Sequence, residues 1–203
     1  MKEALVSLFL FFAFPLACAL DVQVLDSDGQ PIFPGLHYYV VASTSDMGGG
    51  IRVAKTGNSK CPVTVIQDKN GTAYGIPSKF TIPGISTLEI FEGTPLEVKF
   101  ITTKPECVKS FNWTVFVDSE IGKHYIGVGG PEDHPGQQIL KGAFSFYKYK
   151  VGYKLMFCSK DSSPPCSDVR LFGSLEEDER RLILSTNDDD GVVFDVMLIQ
   201  SPP

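Results

Sequence analysis

The chain reads as an all-β protein, a sandwich or a barrel, and three features of its sequence predict this. Short runs rich in Val, Ile, Phe, Tyr and Thr recur along its 203 residues. Turn signals separate them at fairly regular spacing, among them Asp28-Gly29, Asn70-Gly71 and Asp190-Gly191. Helical periodicity is almost absent. Many short strands punctuated by Gly, Pro, Asn and Asp are the pattern of sandwiches and barrels.

In chain order the expected strands are HYYVVAS, CPVTVIQ, KFTI, LEVKFIT, WTVFV, HYIGVGG, FSFYKY, YKLMFC, RLILS and VVFDVMLI. The stretch SLEEDERRL is the only helix candidate, and its charges fit a solvated hairpin turn better. The triple glycine Gly48-Gly49-Gly50 is followed by no helix, so it does not read as a phosphate cradle. It reads as a flexible lead into a strand. The stretch LDSDGQP faintly suggests a calcium loop but lacks the closing Glu. It is expected to be a turn in which Asp side chains cap backbone amides.

The first residues, MKEALVSLFLFFAFPLACAL, have a basic start and an apolar run from Leu5 to Leu16. A small-x-small site, Ala17-Cys18-Ala19, follows. This is the pattern of a secretory signal peptide spanning residues 1–19, too short for a membrane anchor. A single domain is expected over residues 20–203. Of five cysteines, Cys18 would leave with the leader. The remaining four, Cys61, Cys107, Cys158 and Cys166, suggest two disulfides with three possible pairings. The short polar spacing favours Cys158 with Cys166, leaving Cys61 for Cys107. Two glycosylation sequons begin at Asn70 and Asn112. The first lies in a Gly-rich turn. The second is embedded in FNWTVFV and is expected to be poorly accessible.

The charge of −6 argues against a nucleic-acid partner, because no basic stripe matches phosphates. No Cys/His spacing suggests a metal site, and no cofactor motif occurs. Hydrolytic chemistry finds little support. There is no G-x-S-x-G elbow. His37 alternates with strand residues, His124 is the third histidine, and His134 sits in the turn PEDHPG. The carboxylates cluster in solvated turns such as 176–179 and 188–190.

The stretch VLDSDGQPIFPGLHYYVV resembles the opening signature of the plant Kunitz family, the soybean trypsin inhibitor type. Collinear matches follow in GGGIRVAKTGNSKCPVTVIQ, EGTPLEVKF, Cys107, Trp113, YIGVGG, YKLMFC, Cys166-Ser-Asp and RRLILS. The resemblance spans essentially the whole mature chain. It implies a β-trefoil, with six strands in a barrel and six capping it as three hairpins. It also implies disulfides Cys61–Cys107 and Cys158–Cys166, a monomeric secreted or vacuolar product, and inhibition of serine proteases through one exposed loop.

That loop falls on TIPGISTLEIFEG, at about residues 82–91: Pro83, Gly84, Ile85, Ser86, Thr87, Leu88 and their flanks. Such a loop enters the protease cleft as an extended substrate, with its P1 side chain in the S1 pocket. Counting forward from Pro83 puts P1 at Ile85; counting back from Glu92-Gly93 puts it at Ser86. Neither is basic, so an ion pair with the acid of a trypsin-like S1 pocket cannot form. Weak or no trypsin inhibition is expected, with a non-trypsin-like serine protease as partner. The Asn that braces this loop in inhibitory members falls, by count, on Pro34, which has no side-chain amide to donate. The alternative is a non-inhibitory storage or ligand-binding trefoil. The apolar segment of chlorophyll-binding relatives is missing from KCPVTVI.

Overall fold

A computed structural model describes residues 21–57, 59–84, 89–102, 107–118, 122–160, 165–173 and 180–202. Residues 1–19, where a signal peptide is expected, and the charged stretch 174–179 lie outside them. The described residues form fourteen strands and one 3-10 turn, Ser45–Met47. The strands are β1 His37–Ala42, β2 Ile51–Ala54, β3 Thr64–Gln67, β4 Ser78–Thr81, β5 Glu97–Phe100, β6 Trp113–Asp118 and β7 Lys123–Val128. They continue with β8 Gln138–Leu140, β9 Gly142–Tyr149, β10 Gly152–Ser159, β11 Cys166–Phe172, β12 Arg180–Ser185, β13 Val192–Val193 and β14 Asp195–Gln200.

All the strand pairings are antiparallel, and the sheet curls back on itself. β1 pairs with β14, β14 with β10, β10 with β9, β5 with β4, and β4 with β1. Leu96, just ahead of β5, closes the circuit by exchanging hydrogen bonds of 2.7 and 3.0 Å with Phe144 of β9. Period-two patterning explains which faces turn inward. In β5, Val98 and Phe100 are buried while Glu97 and Lys99 are exposed. In β14, Val196 and Leu198 are buried between half-exposed neighbours. β3 is buried at all four positions, because it lies between β2 on one side and β7 and β12 on the other.

Aromatic rings fill the centre. Phe80 contacts Tyr38 (centroids 6.1 Å apart) and meets Phe146 edge-on at 5.2 Å. Trp113 sits between Phe100 and Phe144, at 5.3 and 5.6 Å. Edge-on pairs of this kind add to plain area burial.

Three sequence expectations change. The triple glycine is a tight crossing rather than a flexible lead-in. A Cβ on Gly49 would lie 2.2 Å from the Asn70 carbonyl oxygen, and one on Gly50 2.0 Å from that of Tyr74. Two backbones approach there as only glycine permits. Arg180 fastens the same crossing, donating to the Met47 carbonyl and to Gln67 Oε1, both at 2.9 Å. Gln67 in turn donates to Gly49 O. Burial pushes the Arg180 guanidinium pKa down. Secondly, Asn112 is exposed, one residue ahead of β6, so burial in a strand does not hide its sequon. Asn70 is exposed as well, and its Oδ1 accepts from both the amide and the hydroxyl of Thr72. Thirdly, β2, β8 and β11 were not among the expected strands. The LDSDGQP turn is as read: Asp26 Oδ1 accepts from the amides of Asp28 and Gln30 at 3.0 and 2.9 Å.

A second, smaller cluster joins Phe116, Tyr125 and Ile183. His134 is buried against it, its ring stacked on Phe116 with centroids 3.5 Å apart. His134 Nε2 donates to Val128 O at 2.8 Å, which leaves Nδ1 as the acceptor facing the Tyr125 hydroxyl at 3.0 Å. The phenol's one proton is shared between Nδ1 and Gln137 Oε1. Burial pushes the His134 pKa below its ordinary 6.5, outweighing the Val128 bond and the Asp133 charge. The unfolded chain therefore takes up this proton first as pH falls. The stability contributed by neutral His134 is complete above pH 6.5 and declines below it, toward the lowered folded-state value. Urea midpoints at pH 7.5 and 5 are expected to fall on acidification, and His134→Gln is expected to flatten that dependence. An equal slope in both proteins would contradict this.

Candidate reactive-site loop

The stretch from Thr81 to Gly93 begins as β4 and leaves the sheet at Ile82. Pro83 and Gly84 are exposed. Gly84 has φ 74° and open space around it, so the chain turns there at the surface. Ile85, Ser86, Thr87 and Leu88 lie outside the described residues.

Where the chain is described again it is firmly held. Ile90 is fully buried. Val24 donates its amide to Ile90 O at 2.9 Å, Ile90 donates to Ile32 O at 3.1 Å, and Ile32 donates to Val24 O at 2.9 Å. The N-terminal stretch around Val24 and Ile32 and the distant limb at Ile90 thus close one backbone braid. Glu92 donates its amide to Val22 O at 2.8 Å, and Gly93 donates to Phe146 O at 3.0 Å. The Phe91 amide is taken by Thr94 Oγ1 at 3.2 Å. Gln23 Nε2 donates to the Glu89 carboxylate, the first described group after the tip.

The limb before the tip is held by other means. Thr81 pairs with Glu97 and Phe80 with Val98. Gly35 donates its amide to Phe80 O at 2.9 Å. Pro34 and Gly35 are the middle residues of the turn Phe33–Leu36, with Gly35 at φ 90°. Proline followed by a glycine of positive φ is a favoured turn pair. The Tyr38 hydroxyl accepts from the Phe33 amide at 3.0 Å and fixes the turn from inside. Burial raises the Tyr38 pKa, the Phe33 bond only partly offsetting it. Pro34 therefore serves the turn, and the turn's backbone reaches β4.

The structure joins Cys61 to Cys107, 46 residues apart, and Cys158 to Cys166, 8 apart. The first bridge ties together the two ends of the excursion that carries the loop. The second staples the β10–β11 hairpin, where Cys158 and Cys166 face each other in register.

His124, Ser185 and Asp190 line one cavity of about 260 Å³. Ser185 Oγ donates to Asp190 at 2.8 Å, and Asp190 also pairs with Lys123. These groups do not form a serine–histidine relay, which needs the hydroxyl on the imidazole. Lys123 and Ser185 hold the Asp190 carboxyl below its usual range. Among the described residues, no group of three His, Cys, Asp or Glu side chains is placed to hold a metal.

Among the described residues, an all-β scaffold with two disulfides holds both limbs of the stretch that Pro83-Gly84 lead into at the surface. The chain belongs to the legume Kunitz family: residues 24–196 match the family model described as trypsin and protease inhibitor. It is 49% identical over 175 residues to a Kunitz-type trypsin inhibitor-like 1 protein of Pisum sativum, covering 85% of this chain and 79% of that one. It is 48% identical over 179 residues to a subtilisin inhibitor of Canavalia lineata, covering 86% and 92%. A crystal structure of a Kunitz type trypsin inhibitor from Cicer arietinum superposes with a TM-score of 0.80 at 46% identity, covering 89% of this chain and 99% of that one. The fold is a β-trefoil, as in the soybean inhibitors. One similar solved structure, 28% identical with a TM-score of 0.70, is a complex of soybean trypsin inhibitor with porcine pancreatic trypsin, covering 89% of this chain and 99% of that one.

Sequence reasoning missed Gln23, Tyr38 and Tyr153 as supports of this region. Tyr153 is 128 residues from the Leu25 amide that it accepts. The alternation in Asp21-Val22-Gln23-Val24 separates Gln23 from buried Val24, but nothing local points to a partner 66 residues on.

Proposed function

We propose that the protein is a secreted, monomeric inhibitor of serine endopeptidases that presents residues 82–91 as a substrate-like loop with a non-basic P1, Ile85 or Ser86. Its targets are subtilisin-, elastase- or chymotrypsin-like enzymes, whose S1 pockets take small or apolar side chains, and it inhibits trypsin weakly or not at all. The observation that carries this reading is the clamped loop. Exposed Pro83-Gly84 lead into a tip whose far limb is tied to the N-terminal segment at Val22, Gln23 and Val24. A loop ordered beforehand loses little entropy on binding, and its limbs stay together if one bond is cut. The similarity to a subtilisin inhibitor supports the same class of target.

The test is a titration of the mature protein against subtilisin, elastase, chymotrypsin and trypsin. Sub-micromolar inhibition of at least one of the first three is expected, with trypsin at least about 100-fold weaker, the scale of a missing buried ion pair. Micromolar or tighter inhibition of trypsin sinks the specificity. Inhibition of none of the four, with high abundance in seed, favours the storage reading, to which the loss of a side-chain amide at Pro34 lends weight.

A further inference from the structure

The geometry points to Gln23 as a positioning residue for the reactive loop, acting through Glu89 in place of a brace from position 34. The inference rests on the reading that residues 82–91 contact the protease. A substrate-like loop needs both limbs held: the limb before the scissile bond, and the limb that becomes a new chain end if that bond is hydrolysed. The first limb is continuous with β4 and takes its order from β5 and from the Gly35 amide. The second has no strand of its own. Its backbone is fixed from Ile90 onward by Val24, Ile32 and Val22.

Glu89 lies between that fixed backbone and the tip. Its carboxylate takes the Gln23 amide, and both side chains are half-buried. A hydrogen bond to an ionised acceptor is roughly twice as strong as a neutral one. The two neighbours of Gln23 are committed to the same limb through their backbones, Val22 through O and Val24 through N–H. The side chain of Gln23 therefore extends a three-residue clamp one step closer to the tip. Pro34 supports the other limb through its turn, whose Gly35 amide reaches Phe80 O. After hydrolysis, with water added across one peptide bond among residues 85–88, Gln23 holds the new amino-terminal limb where religation can reverse the cut.

The test uses the mature chain with Gln23→Glu, which sets two carboxylates against each other, and with Gln23→Glu/Glu89→Gln, which restores the bond with its polarity reversed. Loop hydrolysis by excess subtilisin is followed by mass spectrometry, and amide exchange is followed at Ile90 and Glu92. Inhibition constants and urea midpoints are measured alongside. Gln23→Glu is expected to speed loop cleavage and weaken inhibition about tenfold and to speed exchange at both amides, with the urea midpoint unchanged. The double variant is expected to return toward the parent in all three. Cleavage and exchange at parental rates in Gln23→Glu, or a double variant no nearer the parent than the single one, overturns the inference. If the parent inhibits no protease, the exchange and cleavage measurements still decide the brace. If it inhibits and Gln23→Glu inhibits equally, the brace falls while the inhibitor reading stands.

Discussion

Ser86→Arg or Ile85→Arg is expected to create a trypsin inhibitor, the parent being proposed to inhibit trypsin weakly or not at all. Either change places a guanidinium where the S1 acid of trypsin requires a cation, and arginine meets a carboxylate with a planar fork of donors. Leaving one member of such a buried pair without its partner costs about 2–5 kcal/mol, so supplying the missing cation is expected to improve the inhibition constant for trypsin by about 100-fold. The gain depends on the limbs beside the tip being held, which the bonds at Phe80, Ile90 and Glu92 supply. The two variants also separate the two ways of counting P1: only the one in the S1 pocket should respond strongly. Inhibition constants measured side by side against trypsin and subtilisin give the answer, and the responding variant should lose subtilisin inhibition. Failure of both, in a parent that inhibits subtilisin, would move the contact away from this loop.

Removing the Cys61–Cys107 bridge has the second large expected effect. In the chain-entropy account, a bridge spanning 46 residues stabilises by about 4 kcal/mol, and one spanning 8 by about 2.5 kcal/mol. Cys61→Ser/Cys107→Ser is therefore expected to lower the melting temperature by roughly 10 °C, and Cys158→Ser/Cys166→Ser by less. The longer bridge also encloses β4, β5 and the loop between them, so its loss should loosen the reactive region and speed loop cleavage. The shorter one closes a hairpin already paired in register and should leave cleavage unchanged. Thermal melts and cleavage rates on both double variants check the order. A reversed order would mean that the long excursion is held mainly by its packing.

The strands readable in the sequence are those with two-residue alternation or dense β-branched runs, such as LEVKF and VMLI. β11, Cys166-Ser-Asp-Val-Arg-Leu-Phe, was not picked out because its polar residues have long-range partners. Arg170 is buried while donating to Asp188 and to Gly191 O, and Asp168 pairs with Lys154. β2 and β8 are too short to show an alternation of their own; β2 is completed by the next strand, β3, and β8 by β6. The position of the loop was legible because Pro83-Gly84 and Glu92-Gly93 are local turn signals. Its support was not: Val24, Ile32 and Ile90 read as ordinary apolar residues, and only the fold makes them one braid. The triple glycine was misread for the same reason. Glycine in sequence signals freedom or crowding equally, and the carbonyls of Asn70 and Tyr74 decide in favour of crowding.

The pairing of β1 with β14 has a consequence for how the protein comes to exist. β14, Asp195–Gln200, follows every other described strand in the chain yet is the neighbour of β1, and Ser27 donates its amide to Leu198 O at 2.8 Å. The segment that clamps the loop therefore lacks part of its support until β14 has been made. A nascent chain carries residues 82–91 without that support until β14 emerges. Closure comes late and over a long sequence separation, a slow class of folding event. A chain terminated before Asp195 would leave β1 unpartnered along that edge, and the loop it indirectly steadies would be an ordinary substrate.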